Sequence, residues 1–122
     1  HPRSYGTFSR FLRRFVRQNK IVSLNEAIRK ITSLPADTLG INNRGRIAKG
    51  MMADIVCFDY ENLIDKSDYV KPHQYSQGVQ YVIVNGHTVI DKGEHTGKLA
   101  GQILKKNWSL YNLNKFYLVK LC

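Results

Sequence analysis

An α+β chain, with helices first and strands second, is predicted by three observations. Large apolar residues recur at helical spacing from Phe8 to Val16 and again from Leu24 to Ile31; Ser23 and Glu26 form a capping box; and an Asn85-Gly86 pair separates two runs rich in β-branched residues. With 122 residues, the chain has room for one domain or less, with a modest core.

The first helix is expected over Phe8, Phe11, Leu12, Phe15 and Val16, which make one buried stripe. Thr7 is expected as its N-cap. Arg10, Arg13, Arg14 and Arg17 fall on the other side and read as a solvated face. The second helix follows Ser23, with Leu24, Ala27, Ile28 and Ile31 inward. A short third helical turn is expected around Pro35, ending at Gly40, where a left-handed residue closes helices well.

After Gly40 the period changes. Gly45, Gly50 and Asn42-Asn43 punctuate the chain, and residues 54 to 58 read as a short buried strand. Residues 60 to 78 are polar and irregular. Val79 to Val84 and His87 to Asp91 then flank Asn85-Gly86, a pair suited to the positive φ angles of a type I′ hairpin turn. Gly93 to Gly101 reads as loop, Leu99 to Leu104 as a brief helical end, and residues 107 to 122 as an aromatic, asparagine-rich tail.

Nineteen basic against nine acidic residues give a formal charge of +10, and eight of the nineteen lie within residues 1–30. Such a charge would draw nucleic acid or an anionic surface if gathered on one face. Cys57 and Cys122 have neither disulfide-framework nor metal-site spacing, which fits a reducing, cytoplasmic setting. No apolar run approaches the ~20 residues of a membrane-spanning helix. A first residue other than Met, with no leader pattern, is read as a sign that the chain is a piece of a longer protein.

The run Gly45-Arg46-Ile47-Ala48-Lys49-Gly50-Met51-Met52-Ala53-Asp54-Ile55-Val56-Cys57-Phe58-Asp59, followed by Val84-Asn85-Gly86, resembles the C-terminal signature of the amidohydrolase superfamily. His1-Pro2-Arg3 with Gly6-Thr7-Phe8, Leu34-Pro35-Ala36 to Leu39-Gly40, and Thr96-Gly97 with Gly101 narrow that resemblance to the N-acyl-D-amino-acid deacylases (D-aminoacylases) over roughly residues 1–106. The resemblance implies terminal helices of a TIM-like (β/α) barrel in residues 1–42, C-terminal strands of a small β-sandwich domain in 43–106, and an extension of unassigned role in 107–122. Gly50 would permit a tight turn, Asp54 would bind backbone amides at a turn, and Ile55, Val56 and Phe58 would fill a sandwich core.

Members of the family, as the resemblance implies, hydrolyse the amide of N-acyl-D-amino acids with zinc held by Cys and His ligands, a zinc-bound water attacking the carbonyl, and an Asp acting as general acid and base. Those residues are expected upstream of His1, so the fragment alone is expected to be inactive and to bind no zinc. No catalytic residue and no metal ligand is assigned within the chain. Arg3 matches the family's His-Pro-Arg arginine and is the candidate for binding the substrate's carboxylate through its planar fork. His1, on the same loop, is assigned no role.

Each of these residues also has a plainer reading. His73, His87 and His95 lack metal-ligand spacing and read as exposed histidines, and Cys57 reads as a small core residue. Two other functions compete with the enzyme: a small basic nucleic-acid-binding module, and a partner-binding module whose uncovered strands dock on another chain. Nucleic acid is the weaker of these partners and a membrane span is not expected. Exposed edges predict self-association or marginal stability in isolation.

Overall fold

The computed structural model describes residues 1–104; the aromatic tail and the last two residues assigned to the β-domain lie outside the described residues. Three α-helices precede four strands: α1 (Arg3–Phe11), α2 (Leu24–Ile31), α3 (Ser33–Leu39), then β1 (Ile55–Phe58), β2 (Val79–Val84), β3 (His87–Asp91) and β4 (Glu94–His95). The strands form one antiparallel sheet in sequence order, β1-β2-β3-β4.

The first helix begins earlier than expected. Pro2 stands at its N-cap with φ −53°, an angle the pyrrolidine ring favours and a helix accepts. Thr7 therefore lies inside the helix, and its hydroxyl donates to the Arg3 carbonyl at 2.5 Å instead of capping the first turn. From Leu12 to Gln18 the helix continues in the wider π form. The amide of Asn19 still reaches back five residues to the Arg14 carbonyl at 2.9 Å.

α2 starts where the capping signal placed it, the Ser23 hydroxyl accepting from the Glu26 amide at 3.3 Å. The return half of the box is replaced by ion pairs from Glu26 to Arg29 and Lys30. The Arg29 guanidinium holds the Glu26 carboxyl down at about 2. α3 closes at Gly40, whose φ of 71° is the left-handed angle expected there.

The core lies between the helices and the chain that leaves β1. Leu12, Val16, Ala27 and Leu63 are buried together, with Phe11, Val22, Ile28, Ile31, Phe58, Tyr60 and Val79 packed around them. Each large apolar side chain fully buried here contributes about 1.5–3 kcal/mol. The stripe is only partly used, since Phe8 and Phe15 remain exposed.

The arginine face is not a solvated face. Asp65, with its side chain 1% exposed, pairs with Arg10 at 2.5 Å and Arg13 at 2.9 Å. Arg10 also donates to the Ser67 carbonyl at 3.0 Å, and Arg17 donates to the carbonyls of Tyr60 and Leu63. Arg14 alone of the four keeps the expected exposure. The excursion between β1 and β2 is irregular, as its composition suggested, yet Ile64 pairs with Gln77 across it and Leu63, Asp65 and Ser67 are buried. Gly78 closes it at φ 96°, with Leu63 Cα 2.9 Å from where a side chain would begin.

The Asn85-Gly86 hairpin forms as expected, with φ of 50° and 79°. Asp54 does bind a turn amide, although the turn is the hairpin's: its Oδ1 accepts from the Asn85 amide at 2.8 Å. Arg44 bridges the Asp54 carboxylate and the Asn85 side-chain oxygen, and Asn85 Nδ2 donates to the Ala100 carbonyl at 2.5 Å. Burial pushes the Asp54 carboxyl up, but the Asn85 amide and the Arg44 guanidinium outweigh it and hold the group below its usual range.

Three expectations on the sheet are corrected. Val56 and Cys57, neighbours that point to opposite faces of β1, are both exposed, so this end strand of the sheet is not the buried core strand its apolar run suggested. Lys92 and Gly93, both at positive φ, make a second tight turn into β4 inside the supposed loop. Residues 99–104 form no helix.

Candidate functional site

Arg3 opens α1. The carbonyls of His1 and Pro2 accept the amides of Ser4, Tyr5 and Gly6 at 3.0–3.2 Å, so the residues before the helix already belong to its hydrogen-bonding frame. The Arg3 amide, which has no partner within a helix, donates to His1 Nδ1 at 3.1 Å. His1 thus has a function the sequence did not suggest: it caps the helix that carries Arg3. Accepting through Nδ1 requires the neutral ring to carry its proton on Nε2.

The Arg3 side chain is exposed and makes no ion pair among the described residues, whereas on the same helical run Arg10 and Arg13 pair with Asp65 and Arg17 donates to two backbone carbonyls. It stands at an open hollow with His1, Ser4, Tyr5, Thr7 and Phe8. A second, more apolar hollow shares His1 and Arg3 and runs along Phe11, Phe15 and Tyr69. A free guanidinium beside apolar and hydroxyl-bearing walls suits a ligand with a carboxylate and an apolar part.

The excursion between β1 and β2 supports this end of the helix. Tyr5 Oη bonds His73 Nδ1 at 3.0 Å, and its ring meets His73 and Tyr75 edge-on, with centroids 5.4 and 5.6 Å apart. His1 meets Tyr69 edge-on at 5.3 Å. Ser9 donates to Ser76 at 2.7 Å. His73 is thereby brought to the Arg3 helix, whereas Cys57, His87 and His95 lie on the sheet, His95 Nδ1 accepting from the Gly97 amide at 2.9 Å. Among the described residues, no group of three His, Cys, Asp or Glu side chains could hold a metal ion, so these residues do not fit a zinc site.

A model of the amidohydrolase family matches residues 1–90. The chain belongs to the amidohydrolase family. Among curated relatives, it is similar to the N-acyl-D-glutamate deacylase of Alcaligenes xylosoxydans xylosoxydans, with 36% identity over 95% of this chain and 24% of the relative. It also resembles the N-acyl-D-aspartate deacylase of the same organism, with 45% identity over 85% of this chain and 21% of that protein. The alignment to the glutamate enzyme, covering 95% of the chain, necessarily runs past residue 106.

Among solved structures, D-aminoacylase, described with a binuclear metal center, superposes with a TM-score of 0.83 at 35% identity, over 87% of this chain and 22% of that one. The N-acyl-D-glutamate deacylase of Bordetella bronchiseptica, complexed with zinc and a phosphonate mimic of the tetrahedral intermediate, gives a TM-score of 0.71 at 38% identity, over 73% and 19%. This member of the amidohydrolase family therefore spans about a fifth to a quarter of the length of its curated relatives. Its fold over the described residues is that of the corresponding part of D-aminoacylase.

Proposed function

We propose that the chain is the C-terminal portion of a zinc-dependent amidohydrolase that hydrolyses the amide bond of N-acyl-D-amino acids, and that Arg3 binds the substrate's free carboxylate. Residues 1–42 are the terminal barrel helices of that enzyme and 43–106 the strands of its small β-domain. The observation that carries this reading is the Arg3 guanidinium, without an ion pair among the described residues, at the capped start of α1, on a helical run whose Arg10, Arg13 and Arg17 are engaged internally. The names of the relatives support the substrate class, and the zinc-bound relative supports the metal. Zinc in the complete enzyme is held by residues outside this chain.

The inward arginines also weaken the nucleic-acid reading. A helix face whose charges are tied to Asp65 and to backbone carbonyls has fewer cations to offer phosphates than its sequence suggests. The partner-binding reading keeps its support from the edge of β1, unpaired among the described residues, and from the exposed Phe8 and Phe15.

The test replaces the matching C-terminal part of N-acyl-D-glutamate deacylase with this chain and assays zinc-dependent deacylation. The chimaera turns over N-acyl-D-amino acids, the chain alone does not exceed a heat-killed control, and Arg3→Gln lowers kcat/KM by roughly a hundredfold, as expected on removing one side of a desolvated charge pair. A chimaera indifferent to Arg3→Gln, or turnover by the chain alone, overturns the proposal.

A further inference from the structure

We infer that Asp65, in the excursion between β1 and β2, is a positioning residue for Arg3: it fixes the height and tilt of the helix that presents the guanidinium to the substrate. This rests on the role proposed above for Arg3.

The geometry runs through Gly6, one turn beyond Arg3 on α1 and buried. A Cβ built on Gly6 would stand 3.1 Å from Asp65 Cβ and 3.9 Å from Ser67 Cβ, so α1 rests directly on the excursion at this point. Asp65 then locks the next turns through Arg10 at 2.5 Å and Arg13 at 2.9 Å, and Arg10 also donates to the Ser67 carbonyl at 3.0 Å. Ser67 is itself buried and donates to the Pro72 carbonyl at 2.6 Å, which folds the excursion back towards the helix start. There His73 bonds Tyr5 and Tyr69 meets His1, the residue that caps the Arg3 amide.

The seat is steric and electrostatic at once. No side chain at position 6 allows the close approach, and a carboxylate shared by two arginines from successive turns resists both sliding and rotation of the helix. Arg3 has no ion pair of its own among the described residues, so its position depends on its helix. A clamp that grips a substrate carboxylate equally in the ground and transition states acts on KM, and misplacing it raises KM more than it lowers kcat.

The experiment uses the chimaera described above with two substrates, an N-acyl-D-amino acid and the analogue whose α-carboxylate is a primary amide. Three variants are compared: Arg3→Gln as reference, Asp65→Asn, and Gly6→Ala, which keeps every charge and favours helix but pushes α1 away from Asp65. In Asp65→Asn, and in Gly6→Ala should the first fail to fold, KM for the carboxylate substrate rises about tenfold, a fraction of the roughly hundredfold that a 1 Å misplacement costs. Its kcat stays within about threefold, and kcat/KM for the amide analogue is unchanged, since no carboxylate is gripped. A purely structural role would reduce the active fraction, lowering kcat for both substrates alike with KM unmoved; that result, or no change in either variant, overturns the inference. If Arg3→Gln does not separate the two substrates, the Arg3 role fails and the inference falls with it. If Arg3→Gln separates them and neither Asp65→Asn nor Gly6→Ala does, the positioning role alone is lost.

Discussion

Arg17 and Arg14 both project from the π-helical stretch, and replacing each with alanine should have very different effects. Arg17 donates one guanidinium nitrogen to the Tyr60 carbonyl and another to the Leu63 carbonyl at 3.0 Å, while its carbon lies 5.9 Å from the Tyr60 ring centroid. Bonds from a charged donor contribute about 1.5–3 kcal/mol each, and the ring contact at a partly exposed site adds about 0.5–1 kcal/mol. Arg17 is half-buried, so water recovers part of this once the side chain is gone. About 3 kcal/mol is expected for Arg17→Ala. Arg14 is exposed and has no partner among the described residues, so Arg14→Ala should stay within about 0.5 kcal/mol. Urea unfolding of the full chain at one fixed concentration, followed by far-ultraviolet circular dichroism, measures both. Two variants that agree within about 0.5 kcal/mol would restore the solvated-face reading and refute the inward docking of this helix.

Three further outcomes are expected. Gly78→Ala should destabilise far more than Gly86→Ala, because an added Cβ meets Leu63 backbone at 2.9–3.0 Å in the first and nothing within 4 Å in the second, where only the left-handed angle costs about 1–2 kcal/mol; thermal midpoints of the two variants decide it. Asp54 is depressed in the fold, so its share of stability is complete above the ordinary carboxylate value of 3.8 and is lost as pH falls below that through the folded value; Asp54→Asn should flatten this acid limb in a pH series of melts. Sedimentation of the isolated chain should show association that Val56→Lys on β1, an edge strand among the described residues, reduces, whereas a sharp monomer would count against the docking role of that edge.

What the sequence disclosed was local. Ser23, Gly40 and Asn85-Gly86 each act within a few residues, so composition and spacing were sufficient to place the α2 start, the α3 end and the hairpin. The arginine face was misread because its partners lie more than forty residues downstream, in a stretch whose polarity suggested only a loop. One signal was available: Asp65 directly follows the apolar pair Leu63-Ile64, which is where a buried anion would sit. The exposure of Val56 and Cys57 could not be read from their apolar character, because it depends on what packs against the two faces of β1, which a local run of residues does not disclose. Arg3 was singled out by its motif, whereas the cap from His1 and the support from Tyr5 and His73 had no sequence signal, since they depend on how the chain folds back on itself.

β1 and β2 are adjacent strands joined not by a tight turn but by the whole excursion from residue 59 to 78, and it is that excursion that bonds to α1 through Asp65 and Ser76. The sheet and the helix seat are thus separable in design. Changes at residues 66 to 76 could alter the bearing on which α1 rests while leaving every strand register as it is. A library confined to that stretch, with Tyr69 held fixed because it lines the hollow beside Arg3, would retune the seat of the helix that carries Arg3 without mutating any residue of that helix.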